Sequence, residues 1–155
     1  MNRFLWALLL FSYCAIQAQS IHVAMLPASK KSILPQDFFT NDKDVLYNIR
    51  IEIADFIKNL KESALKVPSV LNELSSLAQE LINTMVKIEQ NDTENVMPSL
   101  LNIKEKIPVY QESLKNLKIP VRMNIKTQEG IKHIHTLTQK VLNSIVQHDF
   151  SKKHS

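Results

Sequence analysis

The sequence contains very little glycine and cysteine, with one residue of each in 155. Folds that depend on glycine-rich turns or phosphate-binding loops, such as β-sandwiches, propellers and dinucleotide-binding domains, are therefore excluded. Aromatic residues make up only 6% of the chain, whereas 45% of it is hydrophobic, which argues against disorder. This composition is typical of a helix-rich globular protein about one domain long.

The first 18 residues have the pattern of a secretory signal peptide. Arg3 lies near the start, an apolar run extends from Phe4 to about Phe11, and small residues precede a cleavage position at Ala18, with Ser20 as a second candidate. The run is well short of the roughly 20 residues that a membrane-spanning helix needs. We therefore expect a secreted, extracellular protein without a stable membrane anchor.

Cleavage after Ala18 changes what chemistry the chain can carry. It removes Cys14 and Trp6, the only cysteine and the only tryptophan. Disulfides, thiolate metal sites and cysteine nucleophiles are then excluded from the exported chain. Loss of Arg3 lowers the formal net charge from +4 to +3. The remaining charges of both signs are interspersed and aromatics are few, which argues against nucleic-acid binding.

Most of the chain after residue 40 carries four amphipathic stripes, with apolar residues spaced three and four apart as on one face of a helix. The first stripe is Val45, Leu46, Ile49, Ile53, Phe56, Ile57, Leu60 and Ala64; the second is Val70, Leu71, Leu74, Leu77, Ala78, Leu81, Ile82, Met85 and Ile88; the third is Val96, Leu100, Ile103, Ile107, Tyr110, Leu114 and Leu117; the fourth is Ile131, Ile134, Leu137, Val141, Leu142 and Ile145.

Helix boundaries follow from capping residues and prolines. The predicted N-caps are Asn41 or Asp42, then Ser69, Asn95 and Thr127, and Pro68 ends the first helix. Residues 118–127 form the longest predicted connection. Pro108 lies inside the third stripe, which keeps its phase across the proline, so one kinked helix is favoured over two short ones.

Four helices of similar length with mostly short links predict an all-α antiparallel four-helix bundle of up-down-up-down topology. The alternative is a three-helix core with one loosely docked helix. We assign residues 1–18 to the signal peptide, 19–40 to an extended arm that contains Pro27 and Pro35, 41–148 to the bundle, and 149–155 to a polar tail. Leu34, Phe38 and Phe39 are expected to hold the end of the arm on the bundle.

Residues that could carry chemistry are few. His133 and His135 are two positions apart, which on a helix turns them about 200° from each other, so they cannot bind one metal ion together. Glu129 is four residues before His133, where it could form an ion pair. No nucleophile motif of the G-x-S-x-G type is present. We predict no catalytic, metal-binding or cofactor-binding residues, and we expect that the protein is not an enzyme.

Two further features bear on binding. The sequon Asn91-Asp92-Thr93 falls between two predicted helices, which makes Asn91 a candidate N-glycosylation site. Thr138 and Tyr110 interrupt otherwise apolar faces. They would be polar groups beside a ligand cavity or, in the ordinary case, would bond to the backbone or to water at the rim.

The segments Leu34-Pro35, 42–46 and 104–110 resemble short stretches of the nematode fatty-acid- and retinol-binding proteins. That resemblance covers a small part of the chain, and the spacing between its segments differs from the family's. It implies a secreted, cysteine-free helical protein, and no site residue is carried over from it.

Two functions are compatible with these observations. The first is a secreted non-enzymatic protein that binds an extracellular protein partner, as signalling, salivary, venom or reproductive-fluid factors do. The alternative is a carrier of fatty acids or similar apolar small ligands. A membrane-active toxin fits less well, because such helices have a strongly cationic face and these polar faces mix both signs.

Overall fold

The computed structural model describes residues 34–35, 37–92 and 94–153, with the side chains of residues 148–153 left out. Four α-helices and no β-strand are present in these residues: α1 (Thr40–Glu62), α2 (Ser69–Glu89), α3 (Val96–Lys115) and α4 (Val121–Lys153). The predicted signal peptide and residues 19–33 of the predicted arm lie outside the described residues. α4 continues past residue 148, the predicted end of the bundle.

The helices form an antiparallel four-helix bundle, as predicted. Between α1 and α4, the Asp42 carboxylate is 2.6 Å from the Lys140 ammonium, and seven residues further along α1 Ile49 lies against Gly130, ten residues earlier in α4. Because the residue numbers of these contacts rise along α1 and fall along α4, the two helices are antiparallel. Because α4 also packs against α2 and α3, all four helices share one core and the three-helix alternative is wrong.

Aliphatic side chains fill the core, and α2 contributes the most of them. All nine apolar residues predicted for the stripe of α2 are buried, and those predicted for α3 and α4 are buried or partly buried. The prediction for α1 was too broad, because Val45 and Ala64 are exposed. Phe39 is completely buried and Leu34 packs against the core, so the end of the arm is held as expected, although Phe38 is largely exposed.

The predicted start of α4 at Thr127 is wrong. α4 begins at Val121, where the backbone N–H of Asn124 donates to the carbonyl of Pro120. Thr127 is buried inside the helix, and its hydroxyl donates to the carbonyl of Met123 at 2.7 Å. A buried threonine that bonds to its own helix has the same sequence signature as a capping threonine, which explains the error.

The side-chain caps predicted for the first three helices are also absent. α1 begins at Thr40 with Phe39 as N-cap rather than Asn41 or Asp42, and α2 begins at Ser69 with Pro68 as N-cap. Asn95 does occupy the N-cap of α3, but with φ of 61° and without a side-chain hydrogen bond to the helix. α1 ends at Glu62, well before Pro68, so the proline starts the second helix and does not end the first.

Two helices end in a left-handed turn that normally uses glycine. After α1, Ala64 has φ of 53°, its N–H donates to Lys61, and the N–H of Leu65 donates to Leu60. Asn91 has φ of 59° in the corresponding turn after α2. This is the Schellman arrangement, in which the left-handed residue is usually glycine because a Cβ is unfavourable there.

The single glycine serves helix contact instead. A Cβ added at Gly130 would lie 3.2 Å from Cγ2 of Ile49, so its absence allows α4 to approach α1 closely. Pro108 lies within α3, which is continuous through it as one helix. The prediction of one helix rather than two is therefore confirmed, although the proline ring removes one backbone hydrogen bond.

The left-handed turn at Ala64 generates the first prediction. Ala64→Gly is expected to raise the free energy of unfolding by about 0.5–1 kcal/mol, because glycine adopts positive φ without the steric cost of a Cβ. Ala54→Gly, at an exposed position inside α1, is the matched control and should lower stability by a similar amount. Urea unfolding followed by circular dichroism measures both, and two changes of the same sign would contradict the assignment.

Candidate functional site

The interior of the bundle has its buried hydroxyl groups already bonded. Thr84, Thr127 and Thr138 are buried on α2 and α4, and each hydroxyl donates to the carbonyl four residues earlier, at 2.7–2.8 Å. Among the described residues, the buried side-chain polar atom without a partner is Nε of Arg50. The backbone-bonding interpretation of Thr138 is thus confirmed, and its hydroxyl proton is already used within the helix.

Tyr110 is partly buried against the core at the interface between α2 and α3. Its hydroxyl hydrogen-bonds to the carboxylate of Glu73, and two turns along α2 Glu80 accepts a hydrogen bond from Asn102 of α3 at 3.0 Å. Burial raises the pKa of the Tyr110 phenol, and the charge and hydrogen bond of Glu73, then the charge of Glu80, raise it further. Together with the 3.9 Å contact between Lys106 and Glu80, these groups form a polar seam along two antiparallel helices.

The two histidines lie on opposite exposed flanks of α4, on either side of the buried Ile134. His133 and His135 are both solvent-exposed, and Glu129 pairs with Lys126 at 3.4 Å. No group of three His, Cys, Asp or Glu side chains within residues 34–147 is placed to hold a metal ion. Of the four described helices, none combines the length and the apolar content needed to cross a bilayer.

Asn91 occupies the left-handed position that ends α2. Its N–H donates to the carbonyl of Ile88, the N–H of Asp92 donates to Lys87, and the side chain is partly exposed. The sequon's Thr93 lies outside the described residues. Asn91 therefore stays a predicted glycosylation site, in the inter-helix link where the sequence placed it.

Glu89, the last residue of α2, supplies the cap that α1 lacks. Its Oε1 accepts the backbone N–H of Phe39 at 3.0 Å, and its Oε2 lies 2.6 Å from the Lys43 ammonium. The carboxylate side chain is only 9% exposed. A carboxylate at the start of a helix is stabilised by the helix dipole. In a capping box, a glutamate in the first turn accepts the N–H of the N-cap residue, and Glu89 accepts that N–H of α1 from another helix. Sequence analysis missed this contact.

The same end of the bundle carries a second ion pair and an excess of acid. Lys140 pairs with Asp42 and lies 6.0 Å from the centre of the Phe38 ring. Acidic residues outnumber lysines two to one around the start of α1 and the link from α2 to α3. The described acidic residues there are Asp37, Asp42, Asp44, Glu89, Asp92 and Glu94, and the lysines are Lys43, Lys87 and Lys140. We call this region the acidic end.

The opposite end is basic and contains exposed apolar residues. It comprises the links 63–68 and 116–120 and the first turns of α4 up to Lys126, and we call it the basic end. The two links are neighbours, because Lys66 and Leu117 line one open cleft. Val121 is 75% exposed and Ile125 is 53% exposed, and Leu65 is exposed to a similar degree.

The charge of the basic end was visible in the sequence but was not recognised. From Ser113 to Gln128 there is no Asp or Glu, whereas Lys115, Lys118, Arg122 and Lys126 fall in that stretch. The sequence predicts residues 118–127 as a connection, whereas the structure places Arg122 and Lys126 on a helix beside the exposed Val121 and Ile125.

Comparisons with protein-family models, with curated proteins and with solved structures give no match for this chain. Its function is therefore argued from its own residues.

The cap formed by Glu89 generates the second prediction. Glu89→Gln removes the charge that pairs with Lys43 but keeps an acceptor for the Phe39 amide, and we expect the free energy of unfolding to fall by about 1–3 kcal/mol. Glu112→Gln breaks an exposed pair with Lys115 of similar length and should change it by less than about 0.5 kcal/mol. Chemical unfolding measures both, and equal losses in the two variants would be incompatible with a capping role.

The raised pKa of Tyr110 generates the third prediction. The folded protein holds the phenol proton more tightly than the unfolded chain, so this contribution to stability is complete below the unfolded pKa of about 10 and is lost as pH rises above it. Tyr110→Phe should therefore lose less stability between pH 9 and 11 (about one unit either side of that value) than the parent. Urea unfolding across this range tests it, and a steeper loss in Tyr110→Phe would contradict it.

Proposed function

We propose that this protein is a secreted, non-enzymatic binding protein that engages an extracellular partner through the basic end of its helical bundle. The observation that carries the proposal is the exposure of Val121 and Ile125 beside Lys118 and Arg122, which form no ion pair with any described residue. Exposed apolar residues rimmed by polar groups are characteristic of interaction sites, whereas the buried hydroxyls of the interior are already bonded to the backbone.

The bundle can serve as a rigid scaffold for such a surface. Both links of the basic end are short, with six residues between α1 and α2 and five between α3 and α4. Asn124 of α4 also bonds through its side-chain amide to the carbonyl of Leu114 at 3.4 Å. Side chains on short links and on the first turns of a helix are presented with little loss of conformational freedom on binding, which favours affinity.

The fourth prediction compares two pairs of exposed apolar residues. The exported protein, immobilised and exposed to the extracellular fluid of the tissue that produces it, should capture a specific partner. The double variant Val121→Asp, Ile125→Asp should reduce capture at least about tenfold, the effect of removing one or two well-buried anchors. The control Leu101→Asp, Val109→Asp changes two exposed apolar residues of α3, which are 47% and 60% exposed, and should leave capture unchanged.

Two results would contradict the proposal. Equal loss of capture in both double variants would show that the basic end is not the binding surface. Failure to capture any partner, together with stoichiometric lipid in an organic extract of the purified protein, would favour the alternative function instead.

That alternative, a carrier of fatty acids or similar apolar ligands, remains a prediction. The aliphatic core supports it. A ligand that entered the core would have to part the helices, and a ligand that binds only the folded form must raise its unfolding temperature.

A further inference from the structure

The basic end combines exposed apolar side chains with cations of which Lys66, Lys118 and Arg122 form no ion pair among the described residues, and we infer that the partner it engages is a lipid surface that bears anionic headgroups. Val121 and Ile125 enter the boundary between headgroups and acyl chains, while Lys118, Arg122 and Lys126 contact the headgroups. This inference rests on the proposed function, since it names the chemistry of the partner that the same surface binds.

The two apolar side chains lie on one face of α4. Val121 and Ile125 are four residues apart, in the first two turns, and are therefore neighbours along the outer side of the helix. They are 75% and 53% exposed, and Leu65 adds a third exposed apolar side chain on the adjacent link. Moving these side chains out of water is favourable in proportion to the apolar area covered.

Basic side chains lie beside the same face. Arg122 and Lys126 are four residues apart on α4, Lys118 lies on the link just before it, and Lys66 lies on the neighbouring link. Among the described side chains, Lys66, Lys118 and Arg122 form no ion pair, while Lys126 has only the exposed contact with Glu129. Each basic group close to an anionic membrane strengthens binding about fivefold.

Charge distinguishes this surface from the other exposed apolar pairs of the bundle. Tyr47 and Ile51 on α1 are flanked by Asp44, Glu52 and Asp55. An anionic surface would repel those groups.

The second such pair, Met97 and Leu101 on α3, lies between Glu94 and Glu105, with Lys104 as a neighbouring cation. Glu52 and Asp55 also border the basic end across an open cleft that Arg122 and Lys126 line. We place the predicted contact area on the outer side of the first turns of α4, with Arg122 and Lys126 at its edge toward α1.

The exposed apolar centre favours lipid over a soluble polyanion. An acidic polysaccharide would bind the lysines and the arginine but would leave Val121, Ile125 and Leu65 in water. An amphipathic segment that lies in the membrane interface uses both contributions, apolar burial and attraction to anionic lipid.

Vesicle co-sedimentation of the exported protein tests the inference. The parent should bind phosphatidylcholine vesicles that contain phosphatidylserine, should bind pure phosphatidylcholine weakly, and should be released by raised salt because the headgroup contacts are screened. Val121→Asp should weaken binding about tenfold through loss of apolar burial. Lys118→Glu should weaken it at least about fivefold through loss of one cation.

Matched controls and a second readout complete the experiment. Val109→Asp and Lys104→Glu alter an exposed valine and an unpaired lysine of α3 and should bind as the parent does. Val121→Trp adds a tryptophan to a chain whose only other one is Trp6. Subtracting the parent's emission isolates the fluorescence of the added tryptophan. Its maximum should shift to shorter wavelength on anionic vesicles, because the indole leaves water. Circular dichroism verifies that each variant is folded.

Equal binding to neutral and anionic vesicles would overturn the inference, and so would equal weakening by the α3 controls. An unchanged tryptophan emission on bound vesicles would overturn it as well. The fourth contrary result is heparin binding that Val121→Asp leaves intact, in a protein that does not bind vesicles. If vesicles fail but the captured partner of the fluid is still lost in the Val121→Asp, Ile125→Asp variant, the lipid inference alone fails. If that variant still binds vesicles and still captures the partner as the parent does, the proposed function is overturned as well.

Discussion

The burial of aliphatic side chains along α2 is the interaction on which the rest of the bundle depends. α2 packs against all three other helices, and all of its predicted apolar positions are buried. Full burial of one such side chain contributes about 1.5–3 kcal/mol, whereas an exposed ion pair such as Lys115–Glu112 contributes about 0–1 kcal/mol. The described residues include no cysteine, so this burial has to outweigh the conformational entropy of the chain without covalent support.

Polar groups determine register and ends rather than overall stability. The seam from Glu73–Tyr110 to Glu80–Asn102 aligns α2 with α3, and the Asp42–Lys140 pair aligns α1 with α4. These contacts are directional and join particular positions of neighbouring helices, and polar pairs of this kind specify the register of packed helices.

The sequence was sufficient to predict the number of helices, their core faces and their order, because aliphatic residues at helical spacing reflect burial directly. It was insufficient where a residue's role depends on a distant partner. The acceptor for the Phe39 amide is Glu89, fifty residues away, so no local pattern could reveal it. Thr127 has the sequence pattern of a helix cap, but its hydroxyl bonds within the helix. The sequence therefore predicts a loop where the first turns of α4 lie, and it does not predict that Val121 and Ile125 are neighbours on a helix.

Within the described residues, the two ends of the bundle carry opposite charge, with acidic residues around the start of α1 and basic residues around the start of α4. These residues contribute an electric dipole along the helices. In the electric field of a charged surface, a dipole experiences a torque before contact. The bundle would therefore be oriented while it diffuses toward the surface and not after it collides. Productive encounters then become more frequent, and added salt slows association even where it leaves the final contacts unchanged.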